Sequence, residues 1–331
     1  MFGKLDITAE YFTEERYNIL MDRSSIPNTM GLEGATPKAN VGKAHSQSVD
    51  ISLNYNQNFS KDLFISALGN FTFARNKFKA YEEPQYDNAW SYRVGQPINQ
   101  QWGYIAERLF VDDEEVRSSP VQNFGGTPTM AGDIKYRDVN GDGIINIDDQ
   151  VPIGFPTSPE IVYGFGFSAV YKTFDLSAFA QGSARSSFWI DPASTAPFIN
   201  YRYGSSDPAP AGVLLNNQLL QAYADDHWSE DNRNLYALWP RLSNVINSNN
   251  TQPSTWFMRN GSFLRLKQVQ IGYTLPKKLT EKAGMSKFRV YITGSNLFTI
   301  SGFNLWDIEM GGDGLKYPIQ KSVSFGINAG F

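Results

Sequence analysis

The sequence predicts an all-β protein, an antiparallel transmembrane β-barrel, and three observations lead to this prediction. Eight segments alternate apolar and polar residues with a period of two. Their polar positions are mostly Gly, Ser, Asn, Thr and Gln, with few of the Lys and Glu residues expected on a solvated sheet. The connections alternate between short and long, which is typical of outer-membrane barrels. A soluble sandwich would also alternate, but it would explain neither of the other two features.

The eight segments are residues 2–20, 45–57, 61–78, 159–171, 174–186, 259–275, 288–301 and 316–331. Each has an apolar face made of alternate residues, as a strand with one apolar face requires. In chain order these faces are formed by Leu5, Ile7, Ala9 and Tyr11; Val49, Ile51, Leu53 and Tyr55; Ile65, Ala67, Phe71 and Phe73; Ile161, Tyr163, Phe165, Phe167, Ala169 and Tyr171; Phe174, Leu176, Ala178 and Ala180; Val269, Ile271 and Tyr273; Phe288, Val290 and Ile292; and Val323, Phe325, Ile327, Ala329 and Phe331.

The alternation also predicts which side chains face lipid and which face the lumen. We expect lipid contact for Phe165, Phe167, Val269, Ile271, Val290 and Ile292. We expect Gln268, Gln270, Ser324 and Asn328 to face the lumen. The last strand, with Val323, Phe325, Ile327 and the terminal Phe331, is typical of the closing strand that directs barrel assembly, although any amphipathic last strand would show the same alternation.

The connections fall into two classes. Residues 58–61, 172–173 and 277–287 form short or moderate connections. Residues 21–44, 79–158, 187–258 and 302–315 form long ones, which we expect to be extracellular loops with local structure, including a short helix within 212–228.

Composition excludes several classes of function. The net charge of −4, from 29 basic and 33 acidic residues, does not indicate nucleic-acid binding. The chain has no cysteine, which excludes structural disulfides and thiol catalysis. No stretch approaches the roughly 18 apolar residues of a transmembrane helix. The first residues already alternate as a strand and show no leader sequence, so we expect either a cytoplasmic protein or a missing N-terminal part.

The stretch DVNGDGIINIDD, residues 138–149, matches a calcium-binding loop. Calcium prefers six to eight oxygen ligands on a strongly curved backbone, and Gly143 stands where such a loop turns most sharply. The predicted ligands are Asp138, Asn140, Asp142, the Ile144 carbonyl, Asn146 and Asp149. The last position usually holds Glu, and the shorter Asp makes bidentate closure harder. The alternative is a metal-free acidic turn, since Gly, Asn and Asp are common turn residues.

Aromatic residues gather in the long loops. Trp189, Trp228, Trp239 and Trp256 are candidates for contacts with a substrate or partner, because aromatic rings stack on sugars and grip proteins. The alternative, which we favour, is that they pack the loops or lie at the membrane interface. The two histidines, His45 and His227, lie in predicted loops without the spacing of a catalytic triad, so no enzymatic activity is expected.

Several segments together resemble one family. The segments GDIKYRDVNGDGIINIDDQVPIG, WSEDNRNLYALWPRLS, NGSFLRLKQVQIGYTLPKKL and FRVYITGSNLFTISGF are similar, in this order, to the C-terminal part of SusC-like (RagA-type) TonB-dependent outer-membrane transporters. The resemblance covers essentially the whole chain, 1–331. It implies eight strands of a 22-stranded barrel in the outer membrane of a Gram-negative, Bacteroidetes-type cell. The calcium loop at 138–149 would then be an insertion in an extracellular loop, and 187–258 would be another such loop.

The resemblance also implies partners and a function. The family works with a SusD-like surface lipoprotein and with TonB–ExbB–ExbD, and takes up glycan or peptide nutrients. The family's N-terminal plug is missing from this chain, so we expect a fragment that does not transport alone. Two alternatives remain open at this point: a self-contained eight-stranded membrane barrel with a structural or adhesive role, and a secreted, calcium-stabilised binding module.

Overall fold

The computed structural model describes residues 4–24, 37–198 and 217–331, and its main feature is one large antiparallel sheet. The principal strands are β1 (Leu5–Asp22), β2 (Lys38–Asn58), β3 (Leu63–Ala80), β10 (Ile161–Tyr171), β11 (Phe174–Ala184), β14 (Phe263–Thr274), β15 (Lys287–Ser295) and β17 (Ser322–Gly330). They neighbour one another in that order, and the short β16 (Thr299–Ser301) also pairs with β14.

Smaller elements occupy the long connections. The short strands are β4 (Gln101–Gly103), β5 (Ala106–Leu109), β6 (Val121–Gln122), β7 (Ile134–Tyr136), β8 (Ile144–Ile145), β9 (Val151–Ile153), β12 (Ser187–Trp189) and β13 (Met258–Asn260). The helices are α1 (Asp113–Ser118), α2 (Pro192–Thr195), α3 (Gln221–Asp225) and α4 (Lys277–Thr280), with single 3-10 turns at Ala89–Ser91, Ile147–Asp149, Glu281–Ala283 and Ile308–Met310. None of the helices in the described ranges is long and apolar enough to cross a bilayer.

The predicted antiparallel strands are confirmed, with corrections in four segments. The sixth segment, 259–275, is divided into β13, which pairs with β12, and β14. The second strand begins at Lys38 instead of residue 45, and the last begins at Ser322 instead of residue 316. The seventh segment is interrupted after β15, where Asn296 adopts a positive φ of 52° and the chain re-pairs with β14 as β16. Of the predicted helix at 212–228, only α3 is helical among residues 217–228, and residues 212–216 lie outside the described part of the chain.

The register sorts side chains onto two faces across the whole sheet. One row of directly paired residues is apolar throughout and runs Leu5, Tyr55, Ala67, Phe167, Ala178, Val269, Gly294, Val323. The adjacent row, on the opposite face, is polar throughout and runs Asn56, Ser66, Ser168, Ser177, Gln270, Thr293, Ser324. We call these faces the outer face and the polar wall.

Within the described residues the sheet is open. β1 pairs only with β2 and β17 pairs only with β15, so each of these two strands leaves one edge unpaired. The apolar residues of β17 are largely exposed, with Phe325 at 83% and the following Phe331 at 91%. A self-contained closed barrel of eight strands is therefore not what the chain forms.

The long connections form a separate loop domain with its own hydrophobic core. Its fully buried side chains include Leu109, Ile134, Tyr136, Ile190 and Tyr223. The core draws on the β3–β10, β11–β14 and β16–β17 connections, so segments distant in sequence fold together above one end of the sheet. Among the described residues, the opposite end has the turns after β2 and β10 and the α4 connection.

Candidate functional site

The polar wall is the surface with the strongest functional character. Its central row consists of hydroxyl and amide side chains, and the Thr293 hydroxyl donates to Gln270 Oε1 at 3.2 Å. A groove of about 260 Å³ lies between Asn54, Asn56, Ser168 and Gln268. Uncharged hydroxyl and amide groups donate and accept hydrogen bonds, so such a surface can contact hydrated solutes without holding any of them tightly.

An ion pair lies on the polar wall near the end with short turns. Arg289 donates from Nε to Asp175 Oδ1 at 2.9 Å, and its guanidinium lies 4.7 Å from the Tyr291 ring centroid. Glycine is required beside this pair, because a Cβ on Gly272 would lie 2.5 Å from the Asp175 carboxylate. The sequence thus leaves space in β14 for a charged cluster contributed by β11 and β15.

A second charged cluster attaches the β16–β17 connection to the other end of the wall. Arg265 is 2% exposed and forms ion pairs with Asp307 at 2.5 Å and with Glu309 at 2.6 Å. Burial alone would raise the pKa of Asp307, but hydrogen bonds from Arg265 and from the Glu309 backbone outweigh it and lower that pKa. The connection is therefore held against β14 by charge.

The loop domain contains a buried polar network around Asp133, which is fully buried. Arg241 donates to Asp133 at 2.7 Å, and the side-chain amides of Asn247 and Asn250 donate to it at 2.8 and 2.9 Å. Desolvation raises the pKa of Asp133 despite the opposing effect of Arg241. This network joins the β3–β10 connection to the β11–β14 connection.

Glu115 of α1 forms a third charged cluster, in the same domain. It accepts hydrogen bonds from Arg108 at 2.5 Å and from Lys135 at 2.8 Å. Burial works to raise its pKa, but these two cations and the Val111 backbone N–H lower the pKa to about 2. The carboxylate therefore stays ionised at any physiological pH.

The predicted calcium loop is a compact turn tied by its own side chains. Asp138 accepts from the backbone N–H groups of Gly141 at 2.6 Å and Gly143 at 2.8 Å. Both of these glycines have a positive φ, 78° and 85°, as the curvature requires. Asn140 accepts from the backbone of Asp142, and Asp142 accepts from the backbone of Ile144.

Asp149 differs from the other predicted ligands because it is fully buried. Its oxygens accept from the backbone of Val139 at 2.7 Å and of Asn146 at 2.9 Å, so it closes the loop from inside. Asn146 accepts from the backbone of Asp148 as the cap of the following 3-10 turn. In the part of the chain that the structure describes, no group of three or more Asp, Glu or His side chains converges as a metal-holding cluster.

The four candidate tryptophans lie in the loop-domain core. Trp228 and Trp239 are each 6% exposed, and Trp239 stacks between Tyr223 and Phe257. Trp189 and Trp256 are partly buried against the same core. The burial of Trp228 and Trp239 agrees with loop packing, the alternative favoured from the sequence. A substrate or partner contact by any of the four tryptophans stays a prediction.

The histidines have structural surroundings. The imidazole Nδ1 of His227 lies 2.9 Å from the Tyr223 carbonyl oxygen. His45 lies within β2, not in a loop, and its Nδ1 is 3.5 Å from Glu15. The two are on different elements, and neither is joined to a nucleophile.

Sequence reasoning missed the charged clusters of Asp175, Asp133 and Arg265. Their partners lie 114, 108 and 42 residues away, so no local spacing could reveal the pairs. A weak indication existed in β14 and β15, where Arg265 and Arg289 stand among mostly uncharged strand residues.

Comparison with known proteins identifies relatives of this chain. No family model matches the chain. TonB-dependent receptors P3 and P26 of Formosa agariphila are 24% and 25% identical to it, each over 99% of this chain. SusC, a TonB-dependent receptor of Bacteroides thetaiotaomicron, is 22% identical over 88% of this chain. The chain is related to the TonB-dependent receptors.

Solved structures agree on the fold of this TonB-dependent receptor relative. The RagAB peptide importer in its open-open state matches 99% of the chain with a TM-score of 0.66 and 22% identity. The RagAB peptide transporter matches 98% with a TM-score of 0.67 and 21% identity. The chain spans about a third of the length of these curated relatives and solved chains. The relatives are receptors and transporters, not enzymes.

Proposed function

We propose that the chain forms part of the wall of an outer-membrane barrel that takes up nutrients, in the manner of a SusC-type TonB-dependent transporter. The observation that carries the proposal is the pair of adjacent rows, one apolar across eight strands and one polar across seven. A membrane barrel needs lipid outside and water inside, and this register supplies both surfaces. The relatives, TonB-dependent receptors, support the outer-membrane location.

The chain corresponds to the C-terminal strands of such a barrel in this proposal, with the loop domain on the extracellular side. Uptake then depends on a plug and on further strands that pair with β1 and β17, so eight strands alone do not transport. The structures similar to this chain carry the name RagAB peptide importer, which favours a peptide substrate over a glycan. The relative named SusC leaves the glycan class as the second candidate.

The proposed partners follow from the same relatives. A SusD-like surface lipoprotein would cover the loop domain, and TonB–ExbB–ExbD would act through the plug. Deleting the gene in its native host and measuring uptake of labelled oligopeptides and oligosaccharides tests the function. Loss of uptake of one class, restored by the gene, supports the proposal. Recovery of the protein from the cytosol, soluble without detergent, refutes it.

Calcium remains a separate proposal for the loop at 138–149. Each carboxylate oxygen has two lone pairs, so the oxygens of Asp138 and Asp142 that accept backbone N–H groups can also bind a cation. With Asn140, the Ile144 carbonyl, Asn146 and Asp149 they offer the six oxygen-bearing groups that calcium needs. The role would be structural, because bound calcium would fix the start of the segment that leads into β10.

Calorimetry with calcium and magnesium tests this proposal on the intact protein. Binding of calcium that is lost in Asp138→Ala/Asp142→Ala supports it, with Asp148→Ala, outside the ligand set, as the control. Absence of heat at millimolar calcium, or protease sensitivity of 130–158 that chelation does not change, identifies the stretch as a metal-free turn.

A further inference from the structure

Three strands extend far beyond the others on the extracellular side. β1, β2 and β3 have 18, 21 and 18 residues, whereas β10, β11 and β14 have 11, 11 and 12. On the outer face, the extension of β3 presents Arg75, Lys77 and Lys79, all exposed, and β2 adds the exposed Lys43 beside them. We call these four residues the basic outer patch.

The patch begins where the apolar surface ends. The outer face of β3 is apolar from Leu63 to Phe73, which is ten steps or about 34 Å of strand. A tilt of about 40° turns this length into a height of about 26 Å, close to the apolar band of about 25 Å around outer-membrane barrels. Phe73 pairs through Val49 with Tyr11, an exposed aromatic of the kind found at membrane interfaces.

Arg75 is the next outward-facing residue after Phe73, and Lys77 follows it. At the same tilt they lie about 5 and 10 Å beyond the band, where lipid headgroups surround a barrel. The opposite side of the same extension is covered by protein, because Phe78 and Ala44 are buried beneath the loop domain. Only the outer side is therefore free to meet lipid.

Acidic residues do not neutralise the patch. Across these strands His45 pairs with Lys77, and the acidic residue on the same face is Glu15 beside His45. Glu160 lies 3.3 Å from Arg75, but it is 5% exposed and is shared with Arg185 at 2.7 Å. Lys77 and Lys79 form no ion pair within the described ranges. Three cations, Lys43, Lys77 and Lys79, thus face one exposed carboxylate, and Arg75 shares Glu160 with Arg185.

We infer that the basic outer patch binds the anionic phosphates of outer-leaflet lipid headgroups. The inference rests on the proposed membrane location, because the apolar band is what sets the patch at headgroup depth. Cations at a membrane surface each contribute to binding of anionic lipid, and salt screens this attraction. The patch therefore determines how deep the barrel lies in the membrane and which lipids bind beside β1–β3.

Native mass spectrometry in detergent micelles tests the inference, with phosphatidic acid and phosphatidylcholine of the same chain length as probes. We expect the wild-type protein to retain phosphatidic acid preferentially. Arg75→Gln/Lys77→Gln/Lys79→Gln should lose at least about tenfold in affinity for it. The control Lys61→Gln/Lys278→Gln/Lys282→Gln removes the same charge at the opposite end of the sheet, and should keep the preference. The charge-conserving Arg75→Lys/Lys77→Arg/Lys79→Arg should also keep it.

Three results overturn the inference. The first is that the wild-type protein shows no preference between the two lipids, a measurement that does not depend on the folding of any variant. The second is that the triple Gln variant binds phosphatidic acid as the wild type does, as expected if the patch instead meets a protein partner. The third concerns free phosphate. Competition by inorganic phosphate at low millimolar concentration would assign the patch to free phosphate instead of lipid. A protein that is soluble without detergent refutes the proposed function itself, whereas a detergent-dependent protein without lipid preference refutes only this inference.

Discussion

Replacement of Phe167 by Arg tests which face of the sheet meets lipid. Phe167 belongs to the apolar row and is 46% exposed on the outer face. Its neighbours across the ladder are Ala67 and Ala178. Ser168 is adjacent in sequence but belongs to the polar wall, so Ser168→Arg introduces the same charge on the other side of the same strand.

The expected cost follows from the depth of the row. Ala67, which pairs with Phe167, lies near the middle of the apolar stretch between Leu63 and Phe73. Arg at the midplane of a barrel's lipid face costs about 2–4 kcal/mol. Ser168→Arg places the charge in the aqueous lumen, where we expect a change within about 0.5 kcal/mol.

Reversible unfolding in lipid vesicles measures both variants. Site-directed labels provide a second measurement, and because the chain has no cysteine, Phe167→Cys and Ser168→Cys each carry one label without background. A label at 167 should meet lipid-soluble oxygen and one at 168 a water-soluble quencher. Equal destabilisation by the two arginines, or reversed quencher access, would show that the faces are wrongly assigned.

Three further predictions concern charged and terminal residues. The lowered pKa of Glu115 contributes loop-domain stability that is complete above about pH 4.5 and is lost as the pH falls towards 2. The difference between the two pKa values sets an upper limit of about 3 kcal/mol on this contribution, and solvent screening reduces it. Hydrogen exchange should show this dependence in the wild type but not in Glu115→Gln. Arg265→Met leaves Asp307 without its cation at a largely buried site, and should cost about 3 kcal/mol and expose residues 302–321 to protease, unlike Lys267→Met. Deletion of Phe331 should lower the yield of heat-modifiable barrel more than deletion of the exposed loop residue Gly125 does, because an unpaired edge in lipid leaves backbone groups unsatisfied. Equal yields would contradict this prediction.

The strands were predictable because their pattern is local. Each principal strand carries its own alternation, and a period of two assigns every side chain to a face without knowledge of its neighbours. The central row of the polar wall could be foreseen residue by residue for this reason, Gln270 and Ser324 among them. The boundary errors arose where two strands stay paired beyond their alternating segments, as Lys38 does with Asp22, or where one residue in the left-handed region, Asn296, breaks the ladder.

The loop domain was not predictable to the same extent. Its core depends on contacts among three connections, so Trp239 can be assigned to a core only after those segments are brought together. The pairing of Asp133 with Arg241 is likewise a property of the fold and not of any short stretch. The sequence of residues 138–149 predicted a sharp turn at Gly143, which has a positive φ of 85°. Calcium binding by this loop stays a prediction.

The unequal lengths of the connections between neighbouring strands affect how the chain folds. Each principal strand pairs with the next, so most sheet contacts are local, but β3 and β10 are separated by the 80 residues between Ala80 and Ile161. Closing a flexible connection of that length costs about 2.5 kcal/mol more than closing the four-residue turn after β2. We expect collapse of the loop domain around Leu109 and Ile134 to shorten the effective loop that β10 must close when it pairs with β3. We therefore expect β3 to pair slowly with β10, and β11 slowly with β14, because the folding nucleus for these pairs must include the loop domain. The hairpins with tight turns should form faster.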